Sequence, residues 1–231
     1  MEMMPYHPDE EPDGLGALPA PTERWAPDAL PAFGPLAPAS WQTGLPVLAG
    51  PRLTLRELRL EDAPALFEQL TTDEVARFIS PPPTSVAGFE NFIRWAHRER
   101  AAGRYACFAV VPEGQTAPVG MFQVRILDAD RRIAEWGFAL GSAYWGLGLF
   151  LEGATRLVDF AFGAMGLRQL DARAALLNAR GNGALRKVGA VMTAVLRQAF
   201  ERHGERLDQA LWTIHRDDWD TGVPVWRGGV H

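Results

Sequence analysis

The chain has 231 residues, of which 47% are hydrophobic and 22% are charged, so it is long enough for one soluble domain with an appendage. A formal net charge of −5 argues against a nucleic-acid binder that depends on a broad basic surface. A single cysteine, Cys107, excludes an intrachain disulfide. Its apolar surroundings indicate a buried, unreactive thiol.

Membrane and metal signals are absent from the sequence. The N-terminus is acidic without an apolar core, and no run of about 18 apolar residues exists. The five histidines show no spacing typical of metal ligands. We therefore expect a cytoplasmic protein, a monomer or homodimer, with no membrane span, nucleic-acid partner or metal.

Proline divides the chain, since eleven of the 18 prolines lie in residues 1–51. Residues 1–47 are predicted to be a Pro-rich N-terminal extension that is at least partly disordered, because residues 1–24 cannot bury a core. The later part of this extension, with Trp41, is predicted to lie extended across the domain. The domain is expected over residues 48–220, followed by a C-terminal tail over residues 221–231.

The domain begins with one strand and three helical segments. Alternating leucines from residue 52 predict a strand. Asp62 then caps a short helix with Pro64 in its first turn, and residues 73–79 form another helical piece. Ser85 opens a longer helix, which stops near Gly103.

Three strands follow over residues 105–111, 119–126 and 133–140, and the turns between them indicate an antiparallel meander. Next come a helix that Gly166 ends, a strand over residues 170–176, and a short helix that Asn182 caps. Residues 191–200 and 207–215 form a closing strand pair. This order predicts an α+β domain with a mixed sheet.

The stretch YWGLGLFLEGA, residues 144–154, joins the third meander strand to a helix. Free N–H groups and the helix dipole make a helix start favourable for a phosphate, and Gly146 and Gly148 permit close approach. The alternative is an ordinary tight turn. No Gly-Lys-Ser/Thr follows, so a P-loop is excluded, and Leu151 stands where the dinucleotide fingerprint needs a third glycine.

Three segments together resemble the GNAT acetyltransferase superfamily, and within it the ribosomal-protein N-terminal acetyltransferases. They are EWGFAL at residues 135–140, the glycine stretch, and the run from Asp159 to Ala190 that contains LLNARGNGALRKVGA. The likeness covers about residues 52–219. Phe150 departs from the usual Gly or Ala, and Ala190 replaces the usual Phe of the second motif.

The resemblance implies a mostly antiparallel twisted sheet with a splayed strand pair, flanked by helices, and acetyl-CoA as cosubstrate. The residues that it places against acetyl-CoA are Phe138, Leu140, Trp145, Gly146, Leu147, Gly148, Leu149, Phe150, Asn178, Asn182 and Arg186. For Asn178 the alternative is a loop asparagine that bonds its own backbone, and for Asn182 it is a helix cap. Arg180, Arg186 and Lys187 either reach phosphates or are solvated helix charges.

Acetyl transfer to an amine requires a base, a polarised carbonyl and a stabilised thiolate. Glu135 is the candidate base, with Asn178 as the second catalytic candidate near the sulfur. The alternative for Glu135 is a strand glutamate paired with Arg125 or Arg132. Gly137 either permits a bulge that frees an N–H donor or is a plain strand glycine.

The proton donor for the leaving thiolate is the part of the site where this sequence matches the family pattern least. Many relatives have Tyr where Leu185 stands, and the narrower group often has Ser where Gly181 stands. Water or Tyr144 is left as the acid. We therefore predict an N-acetyltransferase acting on a protein α-amine or a small-molecule amine. The alternative is a catalytically silent acyl-CoA-binding or interaction module.

Overall fold

The fold is built on one eight-stranded sheet with helices on both faces. The computed structural model describes residues 40–202 and 204–220. The strand order is β1-β2-β3-β4-β5-β6-β8-β7, and all neighbours are antiparallel except β5 and β6. The predicted mixed, mostly antiparallel sheet is therefore confirmed.

The strands are β1 Leu48–Ala49, β2 Leu53–Glu57, β3 Tyr105–Pro112, β4 Gly120–Asp128, β5 Ile133–Leu140, β6 Gln169–Ala175, β7 Val191–Arg202 and β8 Glu205–His215. The helices are α1 Ala63–Leu70, α2 Asp73–Ala76, α3 Val86–Ala101, α4 Leu149–Gly163, α5 Ala179–Lys187 and α6 Arg216–Asp220. Short 3-10 turns cover Ser40–Gln42, Leu60–Asp62 and Ser142–Tyr144. Within the described residues, no helix is long and apolar enough to cross a membrane.

Two hydrophobic cores lie on opposite faces of the sheet, because strand side chains alternate. Along β3, Phe108 faces the core that contains α4, whereas Tyr105 and Cys107 face the core that contains α1 and α3. The strands of the meander are buried on both faces, which explains their nearly continuous apolar sequence.

Helix α3 begins at the cap that the sequence predicted, Ser85. The Ser85 hydroxyl accepts a hydrogen bond from the Gly88 N–H at 3.0 Å, which satisfies one free donor at the start of α3. The apolar stripe of α3 is buried and consists of Phe89, Phe92, Ile93 and Ala96. Gly103 follows the helix with φ = 75°, a conformation that glycine adopts without strain.

Several predicted boundaries were wrong. Helix α2 ends at Ala76 rather than at residue 79, and α4 ends at Gly163, three residues before Gly166. Helix α5 begins at Ala179, and its N-cap is Asn178 rather than Asn182. The register of β4 against β5 is regular at Gly137, so the bulge considered there is absent, and the irregularity lies between Ile126 and Asp128.

Part of the predicted extension packs on the domain. The Trp41 side chain is buried in the core that contains α4, and the Arg100 guanidinium of α3 donates to the Gln42 carbonyl. Residues 40–42 therefore belong to the packed structure. The expectations for residues 1–39 and for the tail, residues 221–231, concern residues outside those that the structure describes.

The buried Cys107 gives a prediction about pH and thiol reactivity. Burial raises the pKa of the Cys107 thiol from 9.0 to about 12. Its folded pKa exceeds the unfolded value, so its stabilising contribution is full below pH 9 and is lost as pH rises from 9 through 12. We expect no labelling by a disulfide reagent at pH 8 in the native state and rapid labelling in denaturant. In the Cys107→Ala variant, the loss of unfolding free energy above pH 9 should be smaller; fast native labelling would contradict the burial.

Candidate active site

The site begins where two neighbouring strands separate. Strand β5 pairs with β4 along its whole length, but it pairs with β6 only at Ile133, Ala134 and Glu135. Beyond Glu135 the strands part, so within the described residues the β6-facing edge of the carboxyl half of β5 has no strand partner. This is the splayed pair that the family resemblance implies, and it opens a cleft in the sheet.

The glycine stretch lies at the end of this cleft. Gly146 and Gly148 have φ angles of 80° and 82°, and Gly148 is the N-cap of α4. Both adopt the left-handed conformation, which explains why the sequence has glycine at these positions. An ideal Cβ at Gly148 would also collide with the Arg52 guanidinium. The first N–H groups of this 15-residue helix are available to an anion.

Trp145 fixes the turn against β5 and α5. Its indole N–H donates to the Leu140 carbonyl at 2.9 Å, which satisfies an acceptor on the free half of β5. The Arg180 guanidinium lies 4.4 Å from the ring centroid on the other side of the cleft, a cation–π contact. The turn and the start of α5 are therefore held together through one indole.

Two asparagines position α5. The Asn178 side-chain oxygen accepts a hydrogen bond from the Gly181 N–H at 2.8 Å, so Asn178 caps the helix. Gly181 is tightly enclosed, since an added Cβ would lie 2.5 Å from the Asn178 Nδ2. The Asn182 amide donates to the carbonyls of Ala175 and Asn178 and accepts from the Trp212 indole. Its amide is thus occupied in fastening α5 to β6 and β8.

One cavity of about 670 Å³ connects these elements, a volume in the range of small-molecule sites. It extends from the glycine turn along the end of β5 to α2 and the residues after it. Its lining comprises Glu74, Val75, Arg77, Phe78, Ile79, Phe138, Ala139, Leu140, Tyr144, Trp145, Gly146, Gly148, Phe150, Leu151, Asn178, Ala179, Arg180, Gly181, Gly183, Ala184 and Lys187.

The cavity brings together seven of the residues proposed from the sequence. These are Phe138, Leu140, Trp145, Gly146, Gly148, Phe150 and Asn178. The other five proposed residues lie elsewhere. Leu147 is exposed, Leu149 is buried in the core, Asn182 fastens α5, the Arg186 guanidinium lies 5.7 Å from the ring centroid of Trp212, and Glu135 is described below.

Glu135 forms the ion pair that the sequence left as its alternative role. Its carboxylate lies 2.6 Å from the Arg125 Nη2 and 3.6 Å from the Arg173 Nε, and its side chain is 5% exposed. Within the described residues, its Oε1 has no hydrogen-bond partner. Glu135 does not line the cavity, and strand alternation places it on the face opposite Trp136. Its role as base stays a prediction.

Phe150 serves both the core and the cavity. Its ring centroid lies 4.3 Å from that of Phe138 and 6.0 Å from that of Phe122, and the side chain is half-buried. The same residue lines the cavity, so core packing is only part of its environment. The bulky side chain widens the apolar floor of the cleft without removing the backbone N–H groups of the turn.

Among the described residues that line the cavity, Tyr144 is the only one with a hydroxyl group. Leu185 is fully buried, so α5 presents no phenol there. Tyr144 lines the cavity, and its hydroxyl has no hydrogen-bond partner among residues 40–202 and 204–220. No group of three His, Cys, Asp or Glu side chains that would suit a metal ion occurs in the same part of the chain.

Comparison with known proteins decides the family. Residues 52–191 match the acetyltransferase (GNAT) domain, which is more than half of the chain. The chain belongs to the GNAT acetyltransferase family. It is therefore an acetyl-CoA-dependent N-acetyltransferase, and the identification from the sequence is confirmed.

Three similar proteins illustrate the match. An uncharacterised N-acetyltransferase, p20 of Bacillus licheniformis, is 24% identical over 73% of this chain and 95% of its own. RimJ of Mycobacterium smegmatis, solved in complex with CoA-disulfide, has a TM-score of 0.67 at 22% identity, covering 74% of this chain and 85% of its own. The microcin C7 self-immunity acetyltransferase MccE, solved with acetyl-CoA and AMP, has a TM-score of 0.65 at 18% identity, covering 72% and 93%. The two structures support the fold.

Sequence reasoning missed the α2 side of the cavity. Glu74, Val75 and Arg77 lie in a short segment with no motif and only a helical pattern. The three consecutive prolines at residues 81–83 were the one local signal, although α2 already ends at Ala76, before the first of them. Nothing in the spacing indicates that this segment faces the glycine turn across the cleft.

The turn can be tested with a pair of matched glycine variants. Gly146→Asp places a negative charge in the cavity, whereas Gly114→Asp places the same charge in a distant hairpin. Both glycines have left-handed φ angles, 80° and 76°, and an added Cβ meets nothing within 4 Å at either position. We expect Gly146→Asp to raise the Kd for CoA at least about tenfold by calorimetry, through repulsion of the phosphates. Gly114→Asp should bind like the parent, and equal affinity of both variants would remove the turn from the site.

Proposed function

We propose that the protein transfers the acetyl group of acetyl-CoA directly to a primary amine, either a protein N-terminal α-amine or a small-molecule amine. The observation that carries this proposal is the single cavity that joins the glycine turn, the free edge of β5 and α2. Two reactants can meet within it. The single cysteine is buried and lies outside the cavity, which favours direct transfer over an acetyl-cysteine intermediate.

The lining fits the parts of CoA. Backbone N–H groups at the start of α4 suit a pyrophosphate, and Arg180 and Lys187 add positive charge on the facing helix. Phe138 and Phe150 provide an apolar floor for an extended arm, with unpaired peptide groups of β5 beside it. RimJ and MccE, which share the fold, were solved with CoA-disulfide and with acetyl-CoA and AMP.

Bound acetyl-CoA supplies an activated carbonyl carbon as a thioester. An acceptor that arrives as ammonium first gives one proton to water, which leaves a neutral amine. The amine nitrogen then forms a bond to that carbon, and the carbon–sulfur bond breaks. The nitrogen gives its second proton to water, with Glu135 as the candidate acceptor beyond the water, and the sulfur leaves as thiolate. A peptide N–H on the free edge of β5 is the donor that we assign to the carbonyl oxygen. The Tyr144 hydroxyl, which lines the same cavity, is the group that we assign to the leaving sulfur.

A panel of amines tests the function against the silent-module alternative. Release of CoA thiol from acetyl-CoA is measured with tetrapeptides that have free N-termini and with small primary amines. We expect acceptor-dependent release, and the buried Cys107 keeps the background of a disulfide reagent low. Matched peptides with acetylated N-termini should give no release. Tight CoA binding without release on any amine would show a silent acyl-CoA-binding module.

Glu135 is tested by comparing two substitutions. Glu135→Gln removes the carboxylate, whereas Glu135→Asp keeps the charge that pairs with Arg125 and Arg173. If Glu135 accepts the amine proton through water, Glu135→Gln should lower kcat about 10²-fold or more, most strongly at pH below the pKa of the acceptor. Glu135→Asp should retain part of the activity. Thermal melts check the fold, and a pH–rate profile of Glu135→Gln that matches the parent would remove Glu135 from the mechanism.

A further inference from the structure

We propose that Glu74, on the short helix α2, is the carboxylate that holds the protonated amine of the acceptor. This inference rests on the proposed function and names the acceptor end of its cavity. Glu74 lines the cavity together with Val75, Phe78 and Ile79, all on the α2 side, away from the glycine turn. If acetyl-CoA occupies the turn and the edge of β5, the α2 end is the space left for the acceptor.

The α2 side of the cavity carries Glu74 and Arg77, whereas the α5 side carries two cations. Among the described lining residues, Glu74 is the single carboxylate, and the cations are Arg77, Arg180 and Lys187. Arg180 and Lys187 belong to α5, which faces the turn, where anionic phosphates are expected. The Arg77 guanidinium lies over the Phe78 ring at 5.1 Å from its centroid. The Glu74 carboxylate forms no ion pair within residues 40–202 and 204–220, and its side chain is exposed.

A primary amine needs such a carboxylate to enter this cavity. An α-amino group has an ordinary pKa of about 8 and a lysine amine one of about 10.4, so both arrive largely protonated at pH 7. Three cations in the lining would repel an ammonium group, and the Glu74 carboxylate is the group at the acceptor end that offsets this repulsion. Glu135 cannot serve in this way at the cavity wall, because it does not line the cavity and two arginines surround it.

The neighbours of Glu74 define the class of acceptor. Val75, Phe78 and Ile79 contribute apolar surface to the same side of the cavity as Glu74. This combination fits a primary ammonium group attached to a small apolar substituent, such as the first residue of an Ala- or Leu-starting peptide. The geometry points to substrate binding rather than to proton removal, because the Glu74 side chain is exposed to solvent.

The chain provides a matched control one residue away. Asp73 is also exposed and also lies in the first turn of α2, but it does not line the cavity. Glu74→Gln and Asp73→Asn each remove one negative charge from the same helix. The probe is a tetrapeptide amide that starts with Ala, acetylated with acetyl-CoA at saturating concentration.

We expect Glu74→Gln to raise KM for the peptide about three- to fivefold, the upper range for a solvent-accessible ion pair, and to change kcat less than about twofold. The Kd for CoA should not change. Added salt should raise the KM of the parent more than that of Glu74→Gln, because screening acts on the same pair. Asp73→Asn should have the KM of the parent.

Three results would overturn the inference. An unchanged KM in Glu74→Gln would show that the carboxylate does not contact the amine. Equal increases of the peptide KM in Glu74→Gln and Asp73→Asn would show that the negative charge of α2 acts at a distance, without a contact between Glu74 and the amine. A drop in kcat with unchanged KM would assign Glu74 to a step after binding. A parent that binds no CoA or acetylates no amine would instead refute the proposed function, and the inference with it.

Discussion

The parting of β5 and β6 after Glu135 is the constraint on which the site depends. Strands that separate within a sheet leave peptide groups unpaired, and each buried one costs about 1–3 kcal/mol unless it finds a partner. The structure limits this cost, because β4 pairs with the other edge of β5 throughout and the Trp145 indole N–H donates a hydrogen bond to the Leu140 carbonyl. The remaining peptide groups on the open edge are available to a ligand, so the defect in the sheet becomes the binding cleft.

The walls of the cleft are rigid because different elements attach them to the sheet. Asn178 caps α5, Asn182 joins its first turn to β6 and β8, and the Arg180 guanidinium of the same helix lies over the Trp145 ring. Gly146 and Gly148, both in the left-handed conformation, lie in the turn between β5 and α4, and Gly148 is the N-cap of α4. These contacts set the spacing between the N–H groups of the turn and the cations of α5. A ligand with phosphates therefore meets a preorganised site, which reduces the entropy lost on binding.

Local patterns predicted the meander, the glycine turn and the capped helix α3, since alternation, glycine and Ser85 act over a few residues. The sequence analysis assigned the N-cap of α5 to Asn182 instead of Asn178, which lies one helical turn earlier. The side-chain oxygen of Asn182 accepts a hydrogen bond from the indole of Trp212, a residue distant in sequence, so it does not cap the helix. For Glu135 the sequence offered Arg125 as a partner but gave no sign of Arg173. Arg125 is its cross-strand neighbour, but Arg173 approaches only because β6 runs parallel to β5. Contacts of this kind depend on topology, which spacing along the chain does not contain.

Phe150 shows how the fold accommodates a departure from the family pattern. A bulky residue in the first turn of α4 would crowd the cleft unless the core made room for its ring. Gly153, one turn later, provides that room, since an added Cβ would lie 2.5 Å from Cε2 of Phe122. Phe122 can thus approach α4 closely, and Phe138 and Phe150 pack against it. Phe122, Phe138 and Phe150 therefore form one aromatic cluster, and the rings of Phe138 and Phe150 line the cavity.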